Sequence, residues 1–574
     1  MALHMECLTT EHRVWRMSEF ALTDAPRGAN PYDPDCIAVD VTFTGPSGRS
    51  IAMPAFWYQG YARRLENGSE TLGSEGAPGW RVRFTPTEPG THRYRVTVRE
   101  AGADSETAEG VIEVSSDDTQ VGGKPDNAHG FVRVEPKEKR YFILDDGTPL
   151  PLLGECVCWH HAPGTYDYDA WFGKLAASGM NYARLWMWNV SFGIEFLAEE
   201  RLNYNQERAW RLDYVLDLAG RQGIYIMLCL DYHGIFQVEP DMWGGNNWWP
   251  RHPYNAAQGG PCRTQNDFFA LAEAKSLYRN RLRYLIGRYG AQPALMAWEL
   301  FNEIDIPLRY LRPADVVAWH GEMGEWLHER DPYRHLVTTS VASYGSLPGL
   351  WGLNAMDLSQ CHLYLDGVSL RQTPVAFIAS LADQSHRDYG KPMVIGEFGT
   401  SFRGFNADKD PYHRGIHQAL WGGLMGGSAG TAMPWWWESI HAADLYRLWT
   451  GLARFIEGTG FGSVAWRPAA AGQVENGATA PLETLAMTDG SKALVWVLDP
   501  RYAFPQGADQ EGELVTEAET VVYGLPDGAY TVEWWDTRAG RVVETSRATC
   551  QGGRLRLTAI PFVVDVAARM IPAL

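Results

Sequence analysis

A run of apolar residues that ends on a carboxylate marks residues 297–305, which read AWELFNEID. The same arrangement recurs at residues 394–400, which read VIGEFGT. In both places a glutamate, Glu303 or Glu397, stands at the end of an apolar, strand-like run. A carboxylate is expensive to bury beside such a strand, so it serves stability poorly. Active sites of parallel barrels lie at this edge of the strands, so the two glutamates are candidate catalytic residues.

Short apolar runs alternate with longer helical segments on either side of these two glutamates, which predicts eight β/α units. The predicted strands are Leu150–Gly154, Asn181–Trp186, Ile224–Leu230, Ala294–Leu300, Leu336–Ser340, Asp357–His362, Met393–Gly396 and Thr431–Trp435. The predicted helices include Leu202–Arg221, Asp267–Tyr289, Pro313–Glu329 and Val375–Tyr389. This alternation favours a central (β/α)8 TIM barrel over residues 128–460. A doubly wound open sheet is the alternative, but no glycine-rich phosphate loop follows the first strand.

The two ends of the chain read as all-β. Residues 1–118 contain alternating runs such as Ile37–Phe43, separated by glycine-rich and proline-rich turns, which predicts an N-terminal β-sandwich of the Ig-like kind. Residues 461–574 return to short strands and predict a second, C-terminal β-sandwich. The Ser-, Asp- and Gly-rich stretch Ser115–Asn127 reads as a linker.

Composition narrows the range of partners. The net charge of −19 argues against nucleic acid and anionic membranes, both of which require patches of Lys and Arg. The 24 tryptophans suit either β-sandwich cores or a cleft lined with indole rings, on which the apolar faces of sugars can stack. The eight cysteines form no CxxC pair and no metal-ligand spacing, which indicates reduced thiols.

The first residues, MALHMECLTTEHRVW, contain no apolar signal segment, and no apolar run is long enough to span a membrane. We therefore expect a cytoplasmic protein, or a secreted one if a leader has been removed. The sequence does not predict an oligomeric state.

The two glutamates suit one reaction in particular. They lie 94 residues apart, on predicted strands four and seven, which stand across the mouth of a barrel. Retaining glycoside hydrolysis needs two carboxyl groups about 5–5.5 Å apart, one as nucleophile and one as general acid/base. The alternative interpretation is that both glutamates are surface or helix-cap carboxylates. One such residue after an apolar strand is easily explained in this way, but two are not.

Several motifs resemble the clan A glycoside hydrolases, the clan of family 5 cellulases and mannanases. The run Trp298–Glu303 is similar to the strand-four signature of that clan, and Gly396–Gly399 to its strand-seven nucleophile segment. The resemblance covers residues 141–460. NPYDPDCIAVDVTF and MPAFWYQGY, at residues 30–43 and 53–61, resemble the β-sandwich that precedes some cellulase-like barrels.

The resemblance implies a role for each candidate. Glu303 would be the acid/base and Glu397 the nucleophile; the supporting residues would be Arg184, His233, Asn302, His362, Tyr364 and Trp435. Asn302 would contact a substrate hydroxyl, Arg184 and Tyr364 would orient the nucleophile, and Trp435 would be the sugar platform.

Some of these residues have other interpretations. Arg184 could form a structural salt bridge, His233 could be a core histidine, and Tyr364 could pack at the rim. Strand one departs from well-studied family 5 enzymes by ending in Glu155, which suits either a substrate ligand or a partner for Arg184. His160 and His161 lack a metal-ligand constellation, so we expect no metal and no cofactor.

The sequence thus predicts a retaining β-glycoside hydrolase that cleaves β-linked oligosaccharides or polysaccharides. The alternatives are a transglycosylase with the same residues and a non-catalytic carbohydrate-binding protein. We also expect the terminal sandwiches to be structural, and the long loop Gly234–Cys262, with Trp243, Trp248 and Trp249, to shape one side of the cleft.

Overall fold

The computed structural model describes residues 3–102, 106–116, 129–241, 245–367, 372–405, 407–463, 465–473 and 481–573. Most of the predicted linker lies outside these ranges. The chain divides into two compact units. Unit 1 comprises Met1–Val132, Cys158–Gly173 and Arg184–Met356, and unit 2 comprises Arg133–Val157, Lys174–Ala183 and Asp357–Leu574.

The N-terminal part of unit 1 is a β-sandwich of two sheets. Its strands are β1 (His4–Cys7), β2 (His12–Arg13), β3 (Ser18–Thr23), β4 (Ile37–Thr44), β5 (Ser50–Pro54), β6 (Phe56–Glu66), β7 (Ser69–Phe84), β8 (Gly90–Glu100) and β9 (Glu106–Ser115). One sheet has the order β1-β3-β7-β6 and the other β2-β9-β8-β4-β5. Alternate residues of β4, such as Val39, Val41 and Phe43, enter one shared core, as the period-2 pattern predicts.

Strands and helices alternate through the middle of the chain. The strands are β10 (Val132–Val134), β11 (Phe142–Leu144), β12 (Pro149–Leu150), β13 (Gly154–Cys156), β14 (Tyr182–Trp186), β15 (Tyr225–Tyr232), β16 (Leu295–Asn302), β17 (Leu336–Thr338), β18 (Ser359–Tyr364) and β19 (Met393–Gly399). The helices are α1 (Thr165–Ala177), α2 (Gln206–Gln222), α3 (Asp267–Ala270), α4 (Ala272–Tyr289), α5 (Pro313–Arg330), α6 (Pro374–Tyr389), α7 (Arg414–Met425), α8 (Trp437–Ala442) and α9 (Arg447–Ile456). Short 3-10 helices lie at Ala198–Glu200, His233–Phe236, Trp249–Arg251, Ala256–Gln258, Ile306–Tyr310, Leu365–Gly367 and Pro500–Tyr502.

Local chemistry explains where these helices begin and end. At α2, the side chain of Asn205 accepts a hydrogen bond from the backbone N–H of Arg208, and Gly223 closes the helix in the left-handed conformation, with a φ of 69°. The predicted single helix Asp267–Tyr289 is instead two helices, since Leu271 between α3 and α4 is extended. None of the helices in the described ranges is both long and apolar enough to cross a membrane.

Each unit contains an arc of parallel strands. In unit 1, β15 pairs with β16 and β16 pairs with β17, all in parallel. In unit 2, β18 pairs in parallel with β19, and single parallel bridges join Phe398 to Pro434 and Leu152 to Gly430. The predicted eighth strand is thus represented by isolated bridges. Strands β15, β16 and β19 are buried along their whole length, as expected of a sheet covered on both faces. Closure of the two arcs into an eight-stranded barrel stays a prediction.

The C-terminal part of unit 2 is rich in strands. Its strands are β20 (Arg467–Ala469), β21 (Ala471–Gln473), β22 (Glu483–Thr488), β23 (Ala493–Leu498), β24 (Leu514–Val515), β25 (Glu519–Tyr523), β26 (Gly528–Asp536), β27 (Arg541–Gln551), β28 (Arg554–Thr558), β29 (Phe562–Val563) and β30 (Asp565–Pro572). Nine of them form one continuous sheet in the order β20-β22-β23-β30-β26-β27-β28-β25-β21. Their inner faces share one core, which includes Val495, Trp534 and Leu555. The region is sheet-rich as predicted, with β24 and β29 paired in a separate small sheet, and its arrangement as a second sandwich stays a prediction.

Candidate active site

The register of β15 and β16 brings two predicted site residues to one level. Tyr232 pairs with Asn302, so His233 and Glu303 each follow directly after a strand end. The imidazole Nδ1 of His233 lies 3.6 Å from the Glu303 carboxylate. Parallel pairing places both residues at the carboxyl ends of the strands, where the sequence predicted a site.

Glu303 has an unusual backbone conformation. Its φ is +48°, in the left-handed region that residues with a Cβ rarely adopt. Its N–H donates to Ser340 Oγ at 3.0 Å, and the N–H of Ile304 donates to the carbonyl of Ser340 at 3.2 Å. The chain after β17 therefore holds Glu303 in a conformation that costs about 1–2 kcal/mol. Stored strain of this kind is typical of functional positions.

Beneath Glu303 lies a fully buried charged cluster. The guanidinium of Arg184 donates twice to Glu299, both at 2.7 Å, and once to Asn302 Oδ1 at 2.7 Å. Because Oδ1 accepts from Arg184, the amide nitrogen of Asn302 faces His233 Nδ1, at 3.3 Å. Arg184 thus fixes the orientation of both Asn302 and His233.

Burial decides the electrostatics of Glu303. Loss of solvent raises the pKa of its carboxyl, with the charge of Asp305 adding to the effect, while His233 and Arg184 oppose it. Burial is the largest contribution to this shift of the pKa. A raised pKa suits a group that must start its work protonated.

Unit 2 brings a second group together around Glu397. The hydroxyl of Tyr364 donates to Glu397 Oε2 at 2.7 Å, and His362 Nδ1 lies 3.4 Å from the same oxygen. The pairing of β18 with β19 causes this, since His362 and Glu397 are partners in register. Donors on one carboxylate oxygen stabilise the ionised form, the state that a nucleophile requires.

The three consecutive tryptophans that follow take different directions. The backbone N–H of Trp435 donates to the carbonyl of Phe398, which places Trp435 beside β19. The ring of Trp435 is half-buried. Trp437 is fully buried and meets the Trp435 ring edge-on, at 5.3 Å between centroids. The indole N–H of Trp436 donates to Ser401. Trp435 therefore remains the candidate for a sugar platform.

Glu155 does not behave as predicted. Its carboxyl is fully buried, and neither oxygen has a hydrogen-bond partner among the residues that the structure describes. Burial raises its pKa well above the ordinary value, and the charge of Glu438 adds to the effect. The anionic partner of Arg184 is Glu299, so the predicted pairing with Glu155 is wrong. A carboxyl without solvent access is also poorly placed to bind a substrate hydroxyl.

The long loop after β15 is more structural than expected. Trp243 lies outside the described residues. Trp249 is buried and stacks on His252, at 5.6 Å between centroids. Trp248 is half-buried, and the guanidinium of Arg251 covers one of its faces. Of the two described tryptophans, only Trp248 is open to a ligand.

Two important residues were missed in the sequence. Glu299 has a visible signal, because it is an acidic residue inside an otherwise apolar strand, where a buried partner is required. Ser340 has none, because a serine after a short strand is ordinary. Arg184, His233, Asn302 and Glu303 assemble in unit 1, and His362, Tyr364 and Glu397 in unit 2. Their roles stay predictions.

Two family models match the chain. Residues 144–420 match the family model described as cellulase (glycosyl hydrolase family 5), and residues 11–99 match a model described as a domain of unknown function, DUF5060. The first match includes every candidate residue except Trp435.

Among curated proteins, mannan endo-1,4-beta-mannosidase 4 of Oryza sativa subsp. japonica is 29% identical over 264 residues, which is 40% of this chain and 54% of the relative. Mannan endo-1,4-beta-mannosidase 7 of Arabidopsis thaliana is 24% identical over 314 residues, which is 48% of this chain and 70% of the relative. The chain spans about half the length of the first of these relatives.

Two solved structures support the fold. One from Bacteroides vulgatus aligns over 98% of this chain and 100% of its own, with a TM-score of 0.61 at 16% identity. A glycoside hydrolase family 5 structure from the same organism aligns over 77% of this chain and 93% of its own, with a TM-score of 0.50 at 13% identity. Residues 144–420 are thus similar to glycosyl hydrolase family 5, and residues 11–99, which precede them, are similar to a domain of unknown function.

Proposed function

We propose that this protein is a retaining β-glycoside hydrolase that works by double displacement. The observation that carries the proposal is the contrast between two glutamates at strand ends within the region that is similar to family 5. Glu303 is half-buried and its pKa is raised, whereas Glu397 accepts a hydrogen bond from Tyr364. Environments that separate two carboxyl groups in this way assign one as acid and the other as anion.

In the first step, ionised Glu397 attacks the anomeric carbon and the glycosidic bond breaks. Protonated Glu303 gives its proton to the leaving oxygen. The products of this step are a glycosyl ester of Glu397 and a free alcohol. In the second step, Glu303 takes a proton from water, which attacks the same carbon and releases Glu397. The mechanism requires the two carboxyl groups to stand about 5–5.5 Å apart.

The proposed substrates are β-linked oligosaccharides or polysaccharides. The names of the related mannan endo-1,4-beta-mannosidases make β-1,4-mannan the first candidate, ahead of β-glucans. A hydrolase of this kind would release sugars with retained β configuration.

Two alanine variants and added azide test the roles. Glu303→Ala should still form the glycosyl ester from an activated aryl β-glycoside and then stall, because the base is missing. Azide, which needs no base, should release a β-glycosyl azide. Glu397→Ala should lose double displacement for every leaving group, and azide in the vacated space should give the inverted α-glycosyl azide. NMR of each product distinguishes the two outcomes.

The matched control is Glu325→Ala, an exposed glutamate of α5 that should retain wild-type turnover. An α product from the Glu303 variant with a β product from the Glu397 variant would reverse the roles. Near wild-type turnover of an unactivated oligosaccharide by either variant would remove that residue from the mechanism, since general acid catalysis alone contributes typically 10²–10⁴-fold.

The pH profile gives an independent test. The protonated form of Glu303 is the active acid, so kcat/KM should fall as pH rises through its raised pKa. This alkaline limb should lie above the range of an ordinary glutamate and should disappear in Glu303→Gln. An unchanged limb in the variant would show that another group is responsible for it.

A further inference from the structure

Aromatic side chains line the carboxyl ends of the strands in unit 1, beyond the residues already described. The rings of Trp159 and Trp188 lie 4.8 Å apart, and Trp159 also contacts Trp186 at 5.6 Å. Trp186 is buried and stacks on Tyr232, whereas Trp159 and Trp188 are half-buried. We call Trp159 and Trp188 the indole pair.

The indole pair is preorganised and stands beside the acid/base. The indole N–H of Trp188 donates to the hydroxyl of Tyr232 at 3.1 Å. This bond fixes the ring and satisfies the only polar group of the Trp188 side chain. The ring of Tyr232 contacts that of His233, whose Nδ1 is 3.6 Å from Glu303. A ring fixed in this way presents an apolar face to a ligand at little entropic cost.

The N-terminal domain reaches the loop that carries Trp159. Strands β6 and β7 form a long hairpin with Glu70 near its tip. The N–H of Glu70 donates to the carbonyl of Ala162 at 2.8 Å. Its carboxylate accepts from the backbone N–H of Thr165 at 3.0 Å and from Arg211 at 2.6 Å. With 1% of its side chain exposed, Glu70 is a buried acid whose bonds hold the loop after β13 against helix α2.

A second residue of the same hairpin reinforces this contact. Arg63 donates to Thr165 Oγ1 at 3.0 Å and pairs with Asp169 at 2.8 Å, and its guanidinium lies 4.0 Å from the centre of the Tyr166 ring. The end of the Trp159 loop and the start of α1 are therefore fixed by side chains of the N-terminal domain. Removing one partner from such a partly buried polar set leaves the buried members, such as Glu70, without all of their hydrogen bonds.

We propose that the N-terminal domain belongs to the substrate-binding apparatus. Glu70 and Arg63 act as positioning residues that fix the Trp159 loop, and the indole pair binds a sugar unit other than the one that is cleaved. The substrate class is therefore a β-linked oligosaccharide or polysaccharide rather than the glycoside of a single sugar. This inference rests on the proposed function.

Substrate length provides the test. The wild type, Trp188→Ala and Glu70→Ala are assayed on a β-linked hexasaccharide and on the β-glycosyl fluoride of the same sugar, which has no second ring. Stacking on one aromatic ring contributes roughly tenfold to a hundredfold by analogy with nucleobases. We expect both variants to lose at least tenfold more kcat/KM on the hexasaccharide than on the fluoride, chiefly through KM.

The control is Glu109→Ala, an exposed residue of the same domain, which should match the wild type on both substrates. If Glu70→Ala fails to fold, Arg63→Ala takes its place. Equal losses of kcat/KM on the two substrates would indicate general damage and would overturn the proposal. Unchanged kcat/KM on both substrates would overturn it as well. A wild type inactive on every β-glycan and fluoride would instead refute the proposed function, so the two failures are distinguishable.

Discussion

Truncation of Glu299 should strongly destabilise the protein although this residue performs no chemistry. Arg184 and Glu299 are both fully buried and joined by two hydrogen bonds of 2.7 Å. Glu299→Ala leaves a buried guanidinium with the neutral oxygen of Asn302 as its remaining acceptor among those described above. Removing one partner of a buried ion pair costs about 3–5 kcal/mol. Since the free energy of unfolding of native proteins is about 5–15 kcal/mol, this cost is a large fraction of the total stability.

The assay is urea unfolding followed by tryptophan fluorescence. The matched control is Glu11→Ala, which removes the anion of the exposed pair with Arg13 and should cost less than about 1 kcal/mol. A double variant, Arg184→Met with Glu299→Leu, removes both charges and should be more stable than Glu299→Ala alone, because neither member of the ion pair remains buried without the other. The reasoning is refuted if Glu299→Ala unfolds at the same urea concentration as Glu11→Ala, or if the double variant is the least stable of the three.

Two further variants probe the other unit. Tyr364→Phe removes the donor to Glu397. Hydrogen bonds to charged groups contribute about 1.5–3 kcal/mol, so we expect kcat/KM to fall roughly tenfold to a hundredfold with the fold intact. Wild-type kinetics would mean that this bond does not serve catalysis. The raised pKa of Glu155 means that the folded protein binds a proton more tightly than the unfolded chain, so its contribution to stability is lost as pH rises from about the ordinary value of 4.5 through the raised pKa. Glu155→Gln should remove that loss. The unfolding midpoint of the variant minus that of the wild type should therefore be larger at pH 8 than at pH 4. An equal difference between the two proteins at both pH values would contradict this expectation.

Hydrophobic pattern predicted most of the strands and helices but not the contacts that make the site. The strand before Glu303 was recognisable because β16 is a continuous apolar run, and its end fixed the position of the carboxylate. The left-handed φ of Glu303 was not recognisable, because it depends on Ser340, which follows a different strand. Such long-range contacts have no local periodicity, so they appear only when the chain is folded.

The same limit applies elsewhere. Strand content was predicted in the C-terminal region, but the number of sheets depends on which strands pair, and β30 pairs with both β23 and β26. For Glu155, the position at a strand end suggested a ligand, whereas the charged and polar groups that interact with it, Glu438 and Tyr446, are distant in sequence. Alternation identifies which residues are apolar, but it does not identify which polar residues meet.

The left-handed backbone at Glu303 sets stability against activity at a single position. Glycine adopts that conformation without a steric penalty, and asparagine tolerates it better than glutamate does. A change selected for folding alone would therefore replace the proposed acid with a residue that cannot donate a proton. Screens that improve thermal stability without measuring turnover would be expected to enrich inactive protein at this site, so engineering of the enzyme should keep residue 303 fixed and look for stability elsewhere.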